Sequence, residues 1–391
     1  MNTTINKQKN TFSKDDIYPL IEGVDFFINL SLVTYLCSYF LPEIELRLSI
    51  LIVTSFSLFS YFSKLFIFRI YSFLKKKIEK INISLFLLFA YLLVIISPSG
   101  ELGMLSIITF LLSRFIIGNC FALTYLSHSN GDFRVQKLKY WFLFLLGLLL
   151  GSIVLFLVNE TFSNSDLNNW AWKIIYLFNL ILIFSTFLFF FKNEYFKLDT
   201  INQLLIDNTK KYKTVKLLPI IHLVIPFFSF ILFASSEWLP KFSNPNNMQF
   251  LQYDFVFLFL TIMLTIFLIP LSNLIGKKRS TKFFFITSIV ISFCCIFFEH
   301  SSSYSIDLAK LFLSLFSSFS ICLFVIGFDK QKLIHELFKF NSFNLVTSTL
   351  IIIIPMIFYA FLNFSISYNI LYLLFTIIMT TSYISHIYGK R

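Results

Sequence analysis

Residues 191–216 read FKNEYFKLDTINQLLIDNTKKYKTVK. This is the longest charged and polar interruption in a chain of 391 residues that is 57% hydrophobic, 20% aromatic and only 13% charged. A water-soluble domain carries about a quarter charged residues, so the deficit excludes a globular enzyme with a wet surface. Working outward from this stretch, apolar runs long enough to cross a bilayer as helices, about 20 residues each, fall at 20–41, 47–70, 81–98, 102–126, 138–158 and 170–191 before it. After it they fall at 217–240, 249–274, 283–299, 307–328, 342–364 and 366–387. The pattern predicts an all-α polytopic membrane protein with 12 transmembrane helices in two six-helix bundles. The expected organisation is a cytoplasmic N-terminal tail (1–19), an N-terminal bundle (20–191), a cytoplasmic linker (192–216) and a C-terminal bundle ending in a short cytoplasmic tail (217–391).

Charge fixes the orientation. If the N-terminus is cytoplasmic, alternation of twelve crossings puts 27 of the 32 Lys and Arg residues in cytoplasmic segments and 4 outside, with Arg114 inside the membrane. Lys and Arg concentrate on the cytoplasmic side of multispanning proteins, and one missed helix would scramble the alternation. The same distribution accounts for the net charge of +12 without a nucleic-acid partner. The polar start, MNTTINKQKNTFSKDD, lacks the apolar core of a cleavable signal. The five cysteines all fall within apolar runs and match neither a disulfide framework nor a zinc site. No metal or cofactor motif, Walker loop or G-x-S-x-G is present. HSNGD, His128 to Asp132, is one residue short of the H-x-x-x-x-D pattern of membrane acyltransferases. The chain is expected not to be an enzyme.

Ionisable side chains inside membrane helices are costly, and they face the bundle interior or a pathway. Few lie well inside the runs: Glu22, Asp25, Lys64 and Arg114, with His222 and Glu237 nearer helix ends. Glu22 and Asp25 stand three apart, hence on one helix face. Pointed at a central cavity they are candidate proton or cation carriers; at the interface they would only complement the helix dipole. Arg114 lies near the middle of its run, where even a lenient insertion scale sets a cost of about 2.5 kcal/mol. It must meet either an anionic substrate group or an acid on another helix, with Asp25 the candidate. Lys64 reads as a residue snorkelling to the inner leaflet. Gly147 and Gly151 read as a site of close helix packing.

Several short stretches, in order, carry a resemblance. IEGVDFF (from Ile21) resembles the I-E-x-x-D-F of the metabolite:proton symporter branch of the major facilitator superfamily, which includes proline/betaine transporters. RFIIG (Arg114 to Gly118) is similar to that branch's R-x-x-x-G, and WAWKIIY (from Trp170) to its W-R-W. WLPKF (Trp238 to Phe242) resembles Y-M-P-x-Y. PLSNLIGKKR (from Pro270) resembles P-x-x-G-x-L-S-D-R-I-G-R-R, and HELFKF, through Glu336, resembles E-L-F-P. The chain departs from the branch at Tyr71 and Leu74, where G-D-R-x-G-R-K has Asp and Gly. It departs again at Asn273 and Leu274 for Asp and Arg, and at Ala122, Leu123 and Thr124 for G-G-E.

The resemblance implies a secondary transporter in a bacterial cytoplasmic (inner) membrane, working as a monomer. It would move a small zwitterionic or anionic metabolite, proline/betaine-like or a small carboxylate, by proton symport with alternating access between two bundles. Its partners would be that solute, a proton or other cation, and the bilayer. The proton-coupling candidates are Asp25 and Glu22. The substrate-binding candidates are Arg114, Thr124 and Trp238, and the gating-loop candidates Lys75, Lys76, Asn273, Gly276, Lys277 and Glu336. The loop acids missing at Tyr71 and Asn273 favour the alternative, a transporter-derived receptor, scaffold or decayed paralogue without coupled transport.

Overall fold

The computed structural model describes residues 17–63, 80–99, 102–127, 133–190, 195–197 and 251–295, with single positions at 311, 314, 315, 318, 322, 377 and 380. Nearly all of it is helix. The first membrane segment is two collinear pieces, α1 (Ile17–Ser31) and α2 (Val33–Phe40). The backbone ladder runs on across Leu32, with Leu32 N donating to Ile28 O and Leu36 N to Leu32 O, both at 2.9 Å. It stops at Leu41, one residue before Pro42, because the proline ring disfavours helical geometry in the residue preceding it.

There follow α3 (Leu46–Ser63), α4 (Ile83–Ile96), α5 (Met104–Ser127), α6 (Phe133–Thr161) and α7 (Trp172–Phe190). Asn82 caps α4 by accepting from Leu85 N at 3.1 Å, and α4 too ends just before an X-Pro pair, Ser97-Pro98. Before α7, Ser163 and Asp166 cap one another's backbone N–H groups at 3.3 Å. A π-helical turn, Leu167–Ala171, then leads into the helix. In the second half lie α8 (Leu251–Ile275) and α9 (Lys277–Cys295).

Among the described residues the apolar runs located the helices but not their ends; the expected runs 217–240, 307–328, 342–364 and 366–387 lie outside those residues, apart from a few single positions. The Phe133–Thr161 helix overruns its expected limits of 138–158 at both ends. NLIGKKRSTK, read as a loop, is helical except at Gly276. A hydropathy criterion finds where a helix lies in hydrocarbon, and charged residues extend the same helix into water. Gly276 sits at φ +89°, with open space where a Cβ would be. The left-handed backbone there separates two helices with one residue, and only glycine takes it without strain.

An addition to the expected all-α architecture is a short antiparallel pair, β1 (Lys80–Asn82) with β2 (Tyr195–Lys197), in register Lys80↔Lys197, Ile81↔Phe196 and Asn82↔Tyr195. It joins the entrance of α4 to the exit of α7. Both ends therefore lie on one side, which requires an even number of crossings between them, and α4 to α7 supply four.

The helices sort polar side chains inward and apolar ones to both faces. On α4, Leu85, Phe86, Phe89, Leu92 and Ile96 are exposed while Leu87, Ala90, Tyr91 and Val94 are buried. On α7, Leu177, Ile181, Phe184 and Leu188 are exposed at i, i+4, i+7 and i+11, and Trp172, Tyr176, Asn179 and Ile183 are buried. The exposed stripes suit lipid, and the buried ones carry the hydrogen-bonding groups, as a medium without water demands. The α1 helix packs most extensively on α6, α3 and α4 pack on α5, and α4 packs on α7. The α8 helix packs on α6, joining the second half to the first.

Candidate functional site

At the centre of the first half stands one buried ion pair. Asp25 of α1 and Arg114 of α5 meet in two parallel bonds: Nη1 donates to Oδ1 at 2.9 Å and Nη2 to Oδ2 at 2.7 Å. Arg114 is 0% exposed and Asp25 1%. The planar guanidinium fork matches a carboxylate in this geometry, which makes the bond both strong and directional. Breaking it would leave a lone charge away from water.

Three more helices converge on the pair. Tyr91 of α4 donates its hydroxyl to Asp25 Oδ1 at 2.7 Å. Ser60 of α3 accepts from Arg114 Nη2 at 2.9 Å. Asn179 of α7 reaches Tyr91 Oη through Nδ2 at 3.4 Å. One turn beyond Asp25, Asn29 donates to the Asp25 carbonyl at 2.5 Å and accepts from Tyr176 of α7 at 2.7 Å. Two buried atoms in this lattice, Arg114 Nε and Asn179 Oδ1, have no protein partner; buried polar groups ordinarily have one. The close approach of α3 and α5 needs Gly118, one turn after Arg114: a Cβ there would collide with the Ser60 carbonyl and the Ser63 hydroxyl.

Glu22 is buried too, at 3% exposure, but it turns to another neighbour and accepts a short hydrogen bond from Tyr140 of α6. Tyr140 stacks on Phe144 with ring centroids 6.5 Å apart. Residues three apart point about 60° from each other around a helix axis. That is enough for one acid to face α4 and α5 and the other α6. Thr124 is buried on α5 and donates to the Phe121 carbonyl at 2.9 Å. Gly276 is the hinge between α8 and α9; Asn273 lies in the last turn of α8 and Lys277 opens α9. Trp238, Lys75, Lys76 and Glu336 lie outside the described residues, as do Lys64 and the stretch His128 to Asp132.

A second cluster sits at the opposite end of α4 and the start of α7. Lys173 Nζ donates to Tyr39 Oη at 2.8 Å and to the Ser97 carbonyl at 3.1 Å, and lies 4.8 Å from the Tyr39 ring centre and 5.5 Å from that of Trp172. Tyr39 donates to the same carbonyl at 3.0 Å. One lysine thus ties together the ends of α2, α4 and α7. It follows Trp172 directly in the WAWKIIY stretch quoted above.

Sequence reasoning reached Asp25, Glu22 and Arg114 but not Tyr91, Tyr140, Ser60, Asn29, Tyr176 or Asn179. With 18 tyrosines in the chain, a single one carries no signal. The available signal was spacing: Trp172, Tyr176 and Asn179 share one face of α7, and Asn29 stands one turn from Asp25.

No protein-family model and no curated protein matches the sequence. Solved structures do. The xylose transporter XylE from E. coli, in a partially occluded inward-open conformation, superposes with a TM-score of 0.65 at 10% identity, over 95% of this chain and 96% of that one. Bound to 6-bromo-6-deoxy-D-glucose, the proton:xylose symporter XylE gives 0.67 at 12% identity, over 95% and 94%. The chain has the twelve-helix fold of the major facilitator superfamily. That fold is shared with the human organic anion transporter MFSD10, at a TM-score of 0.57 and 11% identity over 95% of this chain and 97% of that one. A peptide transporter of the POT family in complex with sulfate superposes at 0.58, with 12% identity over 95% and 92%. Major-facilitator architecture accounts for a buried polar centre surrounded by lipid-facing apolar stripes. At such low identities the likeness extends to the fold and not to the solute.

Proposed function

We propose that this chain is a secondary active transporter that moves a small zwitterionic or anionic metabolite across a bacterial cytoplasmic membrane by proton symport. The metabolite would be proline/betaine-like or a small carboxylate. The observation that carries the reading is the bidentate Asp25–Arg114 pair, fully buried where five helices meet. A pair of this kind is a two-state element. Arrival of a proton at Asp25 neutralises the acid and weakens its hold on Arg114, whose guanidinium then meets the carboxylate of the solute. Arg114 Nε, buried without a protein partner, is a further donor for that purpose. Loss of the proton to the cytoplasm restores the pair and expels the anion.

The two bundles, 20–191 and 217–391, would rock about this centre as a monomer with both termini cytoplasmic and 192–216 as the linker. Glu22 on Tyr140 is the second proton site. Thr124 and Trp238 contribute to solute binding, and Lys75, Lys76, Asn273, Gly276, Lys277 and Glu336 form the cytoplasmic gate.

Uptake of labelled proline or betaine into proteoliposomes under an imposed pH gradient tests the reading. Accumulation that needs the gradient and is lost in Asp25→Asn supports it; uptake indifferent to the gradient, or unaffected by Asp25→Asn, sinks it. Tyr71 and Asn273, which stand where the resembling branch has acids, favour a second reading, a transporter-derived receptor. Ligand-induced thermal stabilisation without flux under either gradient would support that one.

A further inference from the structure

The hydrogen bonds around Asp25 are unequal on its two oxygens. Oδ1 accepts from Arg114 Nη1 at 2.9 Å and from Tyr91 Oη at 2.7 Å, whereas among the described residues Oδ2 accepts from Arg114 Nη2 alone. Nη2 already has another acceptor, Ser60 Oγ at 2.9 Å. Tyr91 is 0% exposed and braced from behind by Asn179 Nδ2. Its ring lies against Tyr176, with centroids 6.4 Å apart.

We infer that Tyr91 is a positioning residue for the coupling acid: it holds Asp25 Oδ1 in both protonation states and so directs the incoming proton to Oδ2. This rests on the proton reading above. The argument is one of lone pairs. A carboxylate oxygen with two donors on it has no room for a proton, and one with a single donor does. When the proton takes the remaining lone pair of Oδ2, the Arg114 Nη2–Oδ2 bond weakens, while the second N–H of Nη2 stays on Ser60 Oγ. Oδ1 becomes the carbonyl oxygen of a neutral acid, and the Tyr91 hydroxyl still donates to it. The charge moves from the pair to Arg114 alone, and no other bond changes. Without Tyr91 the neutral acid would be held only by the guanidinium it is releasing. The ionisable groups facing Asp25 are Arg114 from α5, Tyr91 from α4 and, through Asn29, Tyr176 from α7. Glu22, one turn earlier, is engaged by Tyr140 of α6.

Infrared difference spectroscopy on the full-length protein in liposomes, stepped from neutral to acidic pH, tests this without knowledge of the solute. The acid C=O band of Asp25 is the one that Asp25→Asn removes. In Tyr91→Phe it should move to higher wavenumber, because its carbonyl loses a hydrogen bond, and Ser60→Ala should leave it in place. Should Tyr91→Phe fail to assemble, 3-fluorotyrosine at position 91, a stronger donor of the same shape, should move the band to lower wavenumber. A band unmoved by either change at Tyr91, or moved equally by Ser60→Ala, overturns the assignment. A wild-type protein with no band that Asp25→Asn removes refutes the proton reading itself, and the role of Tyr91 falls with it.

Discussion

Gly23 and Gly147 pack backbone against backbone where the first and fifth membrane helices cross. A Cβ on Gly23 would lie 3.1 Å from Gly147 Cα, and one on Gly147 would lie 3.0 Å from Gly23 Cα; each would also run into a carbonyl of the facing helix, that of Phe144 or Leu20. In lipid, where no hydrophobic effect drives helices together, such close backbone approach is a main source of association. The sequence reading of Gly147 and Gly151 as packing positions meets its partner here.

Gly147→Val should therefore force α1 and α6 apart and destabilise the protein by about 1–3 kcal/mol or more. Gly151→Ala should cost less, because a Cβ there meets the Phe27 side chain at 3.2 Å and 3.3 Å and the Val24 carbonyl at 3.3 Å, whereas one on Gly147 would lie 2.1 Å from the Leu20 carbonyl. Thermal unfolding of the detergent-solubilised variants ranks the two; a Gly151→Ala protein less stable than Gly147→Val would contradict this packing.

Single neutralisation of the central pair should be far worse than its joint removal. Asp25→Asn or Arg114→Gln leaves one buried charge without its partner, at about 3–5 kcal/mol. The double variant should recover a large part of that loss, and a double-mutant cycle reads it as coupling. Additive losses would show that the two residues do not act as a pair in the folded protein.

Lys173→Met keeps the apolar stem and removes the charge, two hydrogen bonds and the contacts with Tyr39 and Trp172. A loss of about 1–3 kcal/mol is expected. Lys173→Arg should preserve most of the stability, since arginine stacks on aromatic rings equally well. Cross-linking between cysteines placed at the ends of α2 and α7 offers an independent readout: its yield should fall in Lys173→Met and hold in Lys173→Arg.

Gly276→Ala tests the backbone alone. Nothing lies within 4 Å of the added methyl, yet φ is +89°, so the cost of about 1–2 kcal/mol comes from the left-handed conformation. Gly276→Asn, whose side chain tolerates that region better, should cost less than Gly276→Val. Equal melting temperatures for the three variants would argue against the hinge.

Much of the architecture was legible because it is local. An apolar run in a lipid solvent must be helical to satisfy its own backbone. Individual side-chain roles were not. Glu22 and Asp25 could be placed on one face of α1, yet one turns to Tyr140 and the other to Arg114 and Tyr91. Likewise Tyr91 sits in LFAYLLV, where hydropathy sees one more apolar residue of a lipid-compatible helix.

The sequence by itself determined a helical membrane chain, most of its crossings and the few charges that needed a partner inside it. Each follows from neighbours in the chain and from the cost of a polar group in hydrocarbon. Only the tertiary structure decided which groups answer those charges. Asp25 and Arg114 are separated by 89 positions, and Asp25 and Tyr91 by 66. No local rule says which of the surrounding helices a buried side chain will face; that depends on how closely the helices approach, which glycines such as Gly23, Gly118 and Gly147 set.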